Sequence, residues 1–331
     1  MNYRQLKTKG TLAAKTAAKV ASGYALCYLP YIGLAPKPSR ENGISVRITV
    51  KNEAEWIELN LISIKDFADE IVIVDASTDE TPEIIEKVAS RYDLNLKLIH
   101  HESEQMMGAT KEHTEHANIT LKNTSFRWVV WWEGDYIAKS SIMDLKKEIL
   151  SLNPNVYHAI SIPAVNLEGD VFHQRYGAPL NIQSRVHTYS DALMYEDKGR
   201  FEVLHIPLYY RLSYKHVFKK EYYVFHMDTV KNAKRLLFRE FWTDWRELNN
   251  YTKFPTLDDY VVYRIKEDWN IDDLDEAARY YVNEILCKSF LVPYDKEQFG
   301  DYPELLKEEL ENPKYRVIYK DGEIIGRNDT L

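Results

Sequence analysis

The sequence predicts an α/β fold in which a mostly parallel central sheet is flanked by helices. Three observations support this. Short β-branched and apolar runs at 44–50, 71–74 and 96–99 alternate with segments whose apolar residues recur at helical spacing. The run Ile71-Val72-Ile73-Val74 has no polar face, as a strand covered on both sides requires. Strand, helix, strand, helix, strand in that order gives parallel neighbours joined by right-handed crossovers.

The first strand is Ile44-Ser45-Val46-Arg47-Ile48-Thr49-Val50. Residues 53–66 follow as a helix, with Trp56, Leu59, Ile62 and Ile64 at helical spacing. The strand at 71–74 precedes a helix over 81–92, whose Pro82 sits in the first turn, where an N–H has no helical partner to lose. Leu96-Lys97-Leu98-Ile99 is the third strand. A helix over about 108–117 leads into the strand Phe126-Arg127-Trp128-Val129-Val130-Trp131-Trp132, and a helix over 141–151 follows. Residues 156–226 are mixed, with strands at 157–164 and 221–226. From about Lys231 the chain is acidic and helical, most clearly over 274–290, and Tyr315 to Gly326 reads as a hairpin turning at Asp321-Gly322. Three parts follow: a segment 1–43, a sheet domain 44–230 and a mainly helical region 231–331.

Composition narrows the function. Of 331 residues, 45% are hydrophobic and 28% charged, enough for a real core. The formal charge of −8 excludes coating of nucleic acid by bulk attraction. Two cysteines, Cys27 and Cys287, are too few for a disulfide framework and lack zinc-site spacing, which fits a reducing, cytoplasmic setting. The 24 tyrosines suit sugar stacking as well as plain core filling.

The segment 1–43 stands apart. Its basic residues Arg4, Lys7, Lys9, Lys15, Lys19, Lys37 and Arg40 all precede the first acid, Glu41, and no charge falls between Val20 and Ala35. That uncharged stretch is short and broken by Pro30 and Gly33, which argues against a membrane span. Its basic flanks are compatible with a secretory signal, but it reads first as a peripheral anchor on an anionic membrane or as an ordinary helix packed on the domain.

Ligands of open parallel sheets bind beyond the carboxyl ends of the strands. Lys51-Asn52-Glu53 follows the first strand, Asp75-Ala76-Ser77-Thr78-Asp79-Glu80-Thr81 the second, and Glu133-Gly134-Asp135 the fourth. Each alone serves as a helix cap or entry turn. Together they put carboxylates at three strand ends, and like charges so placed call for a cation or hydrogen-bond donors. Neither GxGxxG nor GxxxxGK[ST] is present, which excludes the usual dehydrogenase and P-loop phosphate cradles.

These motifs, in this order, resemble family 2 of the glycosyltransferases, which have the GT-A fold. The match runs from Ile44 through Asn52-Glu53-Ala54-Glu55, through Asp69-Glu70-Ile71-Val72-Ile73-Val74-Asp75 with Ser77-Thr78-Asp79-Glu80-Thr81, to Trp128-Val129-Val130-Trp131-Trp132-Glu133-Gly134-Asp135. The last stands where the family has Asp-x-Asp, with Glu133 replacing the first Asp, and the second motif is shorter than usual. A looser likeness through Gly169, Arg185, His205 and Phe225-His226-Met227 points to the branch that builds lipopolysaccharide core and similar surface glycans.

The resemblance implies a nucleotide-sugar donor, a UDP-sugar first among them, and a glycan or lipid-linked acceptor. It assigns Val50, Asn52, Glu53, Asp75, Ser77, Glu133 and Gly134 to the donor, with Glu53 and Asp75 at base and ribose and Lys111 at the diphosphate. It further implies a divalent cofactor, Mn2+ or Mg2+, on Asp135, with Glu133 and His226 completing the set. His226 also reads as a plain buried histidine at a strand end. Inverting transfer needs a base for the acceptor hydroxyl, and Glu202 and His205 are the candidates. Two rivals remain: a sugar-nucleotide pyrophosphorylase, whose Gly-rich first loop is missing here, and a non-catalytic glycan- or membrane-binding protein that kept the fold.

Overall fold

Strand β1 (Ile44–Val50) lies between β2 (Glu70–Asp75) and β4 (Trp128–Glu133), and both pairings are parallel. A computed structural model describes Leu26 and residues 28–30, 32–34, 36–102, 109–176, 181–198, 202–206, 214–248, 250–288 and 291–329. Most of the amino-terminal segment 1–43 lies outside the described residues; Tyr28, Ile32 and Leu34 within it are exposed.

The remaining parallel half is β3 (Leu96–His100) beside β2. Helices α1 (Ile57–Ile64) and α2 (Thr81–Tyr92) make the two crossovers, and α3 (Ala109–Asn123) returns the chain to β4. Beyond β4 come β5 (Tyr136–Ala138), α4 (Ile142–Ser151), β6 (Tyr157–Asn166), β7 (His173–Arg175), β8 (Asn181–Thr188), β9 (Met194–Asp197), β10 (Glu202–His205), β11 (Tyr214–Phe218) and β12 (Val224–His226). One nine-stranded sheet runs β3-β2-β1-β4-β8-β6-β12-β5, with β11 also on β6. Strand β8 is antiparallel to β4 and β6, and β12 to β5; the other pairings are parallel. The sheet is therefore mostly parallel, as the sequence implied.

The core of this layer is Ile44, Val46, Ile48, Ile71, Ile73, Val130 and Trp132 against Leu61, Ile64, Ile85 and Val88 of the helices. Burying such side chains stabilises by about 1.5–3 kcal/mol each. The carboxyl-terminal region comprises α5 (Ala233–Glu247), α6 (Leu257–Trp269), α7 (Leu274–Tyr280), β13 (Leu291–Pro293), the short helices α8 (Lys296–Phe299) and α9 (Lys307–Glu311), and the hairpin β14 (Tyr315–Lys320)–β15 (Glu323–Asp329). It has its own apolar cluster around Leu237, Phe241, Val261, Ile265 and Ala277. Asp321 and Gly322 both have positive φ, 53° and 86°, at the predicted hairpin turn.

Two helices differ from expectation. The first starts at Ile57 rather than Glu53, because Asn52 is left-handed (φ 57°) and holds residues 52–56 in a turn. The helix expected over 274–290 gives way at Tyr281 to a π turn, in which the Cys287 N–H reaches the Val282 carbonyl at 2.9 Å. Among the described residues no helix is long and apolar enough to cross a membrane.

Candidate functional site

The carboxyl ends of β1, β2 and β4 come together through short polar contacts. The Asn52 N–H donates to Ser77 Oγ (2.8 Å), the Thr78 N–H to Asn52 Oδ1 (2.8 Å), and the Glu53 N–H to Thr81 Oγ1 (2.9 Å). The loops after β1 and β2 are thus joined into one hydrogen-bonded unit. Asp75 is 3% exposed; it accepts from the Ser77 N–H at 3.2 Å and faces His100 Nδ1 at 3.4 Å.

The Glu133-Gly134-Asp135 turn is fixed from below. Asn60 Nδ2 donates to the Glu133 and Tyr136 carbonyls, each at 2.7 Å. A Cβ on Gly134 would stand 2.8 Å from Val50 Cγ1 and 3.1 Å from Glu53 Cγ, so this close approach of β1 and β4 needs glycine. The turn delivers Asp135 beside Glu53, and both are buried or nearly so.

Two carboxylates at close quarters need positive charge. Lys231, between β12 and α5, supplies it: Nζ stands 2.6 Å from Asp135 Oδ2 and 3.1 Å from Glu53 Oε1. Arg235, in the first turn of α5, also pairs with Glu53. His226 Nε2 approaches Asp135 Oδ2 at 3.3 Å, and its Nδ1 faces Asn166 Oδ1 at 3.1 Å. Beside these, Arg239 pairs with Asp228.

Burial and charge set the protonation of this cluster. Burial alone would raise Asp135, but His226 and Lys231 overcome it and hold its carboxyl well below the ordinary range. Burial pushes Glu53 up, Asp135 adds to the effect, and Lys231 and Arg235 offset it only in part. Burial would depress Lys231 and His226, yet Asp135 beside them raises both.

The expected metal set does not assemble. Among the described residues no three His, Cys, Asp or Glu side chains converge so as to hold an ion. Asp135 and His226 do meet, but Lys231 also holds Asp135, and Glu133 does not complete a trio with them. As built, these residues do not fit a divalent ion, because an ammonium already occupies the carboxylate face that an ion would need.

Other predicted residues lie elsewhere. Lys111 is exposed on α3. Glu202 and His205 are on β10, which pairs with β9 in a separate hairpin against α3. His205 Nδ1 faces Glu196 at 3.2 Å, and no described contact joins it to Asp135. The sequence reading missed Lys231 and Arg235, which follow no motif. It noted Arg185 only in passing; this fully buried guanidinium lies 4.6 Å from the Tyr136 ring and 5.5 Å from that of Trp131. A cleft of about 390 Å3, lined by Asn52, Asp79, Asn232, Lys234, Arg235 and Phe238, opens beside the carboxylate cluster.

The family model described as "Glycosyl transferase family 2" matches residues 45–218, more than half of the chain. The chain belongs to glycosyl transferase family 2. It is therefore a glycosyltransferase, and the matched segment of this family 2 enzyme holds β1 to β11, including every predicted donor residue. Among solved structures, it is similar to S. aureus TarS 1-349, at 15% identity over 85% of this chain and 95% of that one, with a TM-score of 0.38. The same TarS portion with UDP-GlcNAc is 17% identical over 73% and 72% of the two chains, TM-score 0.38. The longer TarS chain is spanned over only 43% of its length. Glucosyl-3-phosphoglycerate synthase from Mycobacterium tuberculosis, with Mn2+ and UDP-glucose, is 23% identical over 38% and 44%, TM-score 0.26. No curated protein matches the chain. The family assignment rests on the family model and not on these distant likenesses.

Proposed function

We propose that this family 2 enzyme transfers a sugar from a nucleoside-diphosphate sugar, first of all a UDP-sugar, to a hydroxyl of a cell-surface glycan or glycolipid, with inversion at the anomeric carbon. The observation that carries this reading is the convergence of Glu53, Asp75 and the Glu133-Gly134-Asp135 turn at the carboxyl edge of the parallel sheet. Asp75 and Glu133 suit ribose and base hydroxyls and amides, and the adjoining cleft gives the donor room. The negative charge of the diphosphate is countered either by a divalent ion, the expectation from the sequence, or by basic groups such as Lys231 and Arg235.

In the reaction the acceptor oxygen attacks the anomeric carbon, the bond to the diphosphate oxygen breaks, and a base takes the acceptor proton. His205 suits that role because Glu196 faces its Nδ1 and leaves Nε2 for the proton; Glu202 is the alternative. A panel of nucleotide sugars tests the donor by thermal shift, since a ligand at 100 times its Kd stabilises by about 2.7 kcal/mol. With the donor in hand, His205→Ala should slow transfer by about 10²–10⁴-fold. Near wild-type rates in both His205→Ala and Glu202→Gln would place the base elsewhere.

The basic segment 1–43, with Tyr28, Ile32 and Leu34 exposed, supports residence on an anionic membrane surface, where a lipid-linked acceptor would lie. Removing residues 1–38 should abolish co-sedimentation with anionic liposomes and leave donor binding intact. Failure of the full chain to sediment at low salt refutes the anchor.

A further inference from the structure

We infer that Lys231 is the resident cation of the donor site, and that its ammonium does for the diphosphate what a divalent ion does in a metal-dependent transferase. This rests on the nucleoside-diphosphate reading above.

The geometry is that of an occupied cation position. Lys231 Nζ bridges Asp135 Oδ2 at 2.6 Å and Glu53 Oε1 at 3.1 Å, and its side chain is only 5% exposed. A divalent ion bound by Asp135 would sit about 2.0–2.2 Å from a carboxylate oxygen. The ammonium already holds Oδ2, and a second cation would lie against it with like-charge repulsion at low dielectric.

His226 agrees. Nδ1 faces Asn166 Oδ1 at 3.1 Å and Nε2 faces Asp135 Oδ2 at 3.3 Å. Two ring nitrogens that both face oxygen acceptors suit a ring that donates hydrogen bonds, not one that ligates through a lone pair.

The charges also close without an ion. Glu53 and Asp135 face Lys231 and Arg235, while Asp228 faces Arg239. Each of these three carboxylates thus already has a basic partner. The lysine is, moreover, held from behind. Arg327 Nη2 donates to the Lys231 carbonyl at 2.9 Å, and the Asn232 N–H donates to Glu55 Oε1 at 3.0 Å. A charge fixed in advance needs no reorganisation when the leaving group develops its own.

The test has two arms on the full-length protein. In the first, Mn2+ binding is followed by electron paramagnetic resonance in wild type, Asp135→Asn and Lys231→Met. Wild type should bind no Mn2+ that Asp135→Asn abolishes. Lys231→Met, with its carboxylates uncovered, should acquire such a site. In the second, UDP is titrated calorimetrically in excess EDTA and in excess Mn2+. Wild-type affinity should agree between the two buffers to within about twofold. Lys231→Met should lose about tenfold or more in EDTA, and Lys231→Arg, which keeps the charge, should lose less. Mn2+ bound by wild type through Asp135, or a rise of about tenfold or more in wild-type UDP affinity with Mn2+, overturns the inference. Should Lys231→Met fail to fold, the wild-type measurements still decide. If UDP binds in neither buffer, the UDP-donor reading fails, and the Mn2+ arm alone judges Lys231.

Discussion

Residues 44–135 bring Glu53, Asp75, Glu133 and Asp135 to one edge of the sheet, whereas residues 228–239 bring Lys231 and Arg235 to meet Glu53 and Asp135, with Arg239 paired to Asp228 beside them. The two contributions are built differently. Each acid ends or closely follows a hydrophobic strand, so the same pattern that buries the strand also positions the acid. The bases sit in a connection and on the first turns of α5, and their positions depend on contacts from far along the chain. Arg327, with a side chain fully buried, spans the Gly169 carbonyl at 3.0 Å and the Lys231 carbonyl at 2.9 Å. The acids are thus placed by secondary structure and the bases by tertiary structure.

The largest expected effect comes from breaking the meeting point itself. Asp135→Asn keeps the shape but leaves Lys231 and His226 without their shared acceptor charge. Transfer should fall on the order of 10²–10³-fold, the scale for losing a preorganised charge at a reacting centre. Steady-state rates with the identified donor check this; full activity would mean that the acidic edge is not the site.

Breaking the tertiary side alone should show first as stability. Arg327→Met removes the donors to the Gly169 and Lys231 carbonyls and strips Asp329 of its partner. A cost of about 3 kcal/mol is expected in urea unfolding, since one partner of a buried charged network is lost. A surface control such as Arg91→Met, which breaks only an exposed pair with Glu58, should cost well under about 1 kcal/mol. Equal costs for the two would remove Arg327 as the anchor of Lys231.

Acid separates the two regions with a smaller effect. All ten histidines precede Lys231 in the sequence. His158 on β6 and His116 on α3 are each held neutral by burial, which pushes their pKa down to about 4. The unfolded chain takes up a proton near the ordinary value of about 6.5, where the folded one does not. Stability is therefore full above about pH 6.5 and falls as pH drops toward 4, by at most about 3 kcal/mol for each group. His158→Gln should flatten that slope in pH-dependent melting, whereas a slope unchanged by His158→Gln would assign the acid sensitivity to other groups.

The same division explains what the sequence disclosed. The strands β1 to β4, their helices, the Glu-Gly-Asp turn and the Asp321-Gly322 hairpin all follow from local pattern and turn chemistry. Gly134 stands in a motif, and the structure adds its cause, the 2.8 Å approach to Val50 Cγ1. Lys231 was not legible, because nothing in Thr229-Val230-Lys231 distinguishes a buried counter-ion from a solvated lysine; only its separation of 2.6 Å from Asp135 does. The metal expectation meets the same limit, since pattern alone does not show that Lys231 stands against Asp135. Clustered carboxylates require a cation, and sequence pattern does not reveal that a side chain from elsewhere provides it. Glu202 and His205 were chosen by position, and they stand on the β9–β10 hairpin, not on the sheet that carries Asp135.

The order in which the chain is made gives the Arg327 contact a further meaning. Asp135 and Lys231 are separated by 96 positions, and Lys231 and Arg327 by another 96. At the usual pace of about 5–20 residues per second, each interval lasts roughly 5–20 s. The nascent sheet therefore displays its acidic edge for seconds before the lysine exists, and for seconds more before the arginine that steadies it has been translated. During that time the growing polypeptide has the acids of the sheet edge but not the bases that pair with them. If transfer depends on Lys231 as proposed, a competent site waits until the β15 hairpin strand has emerged.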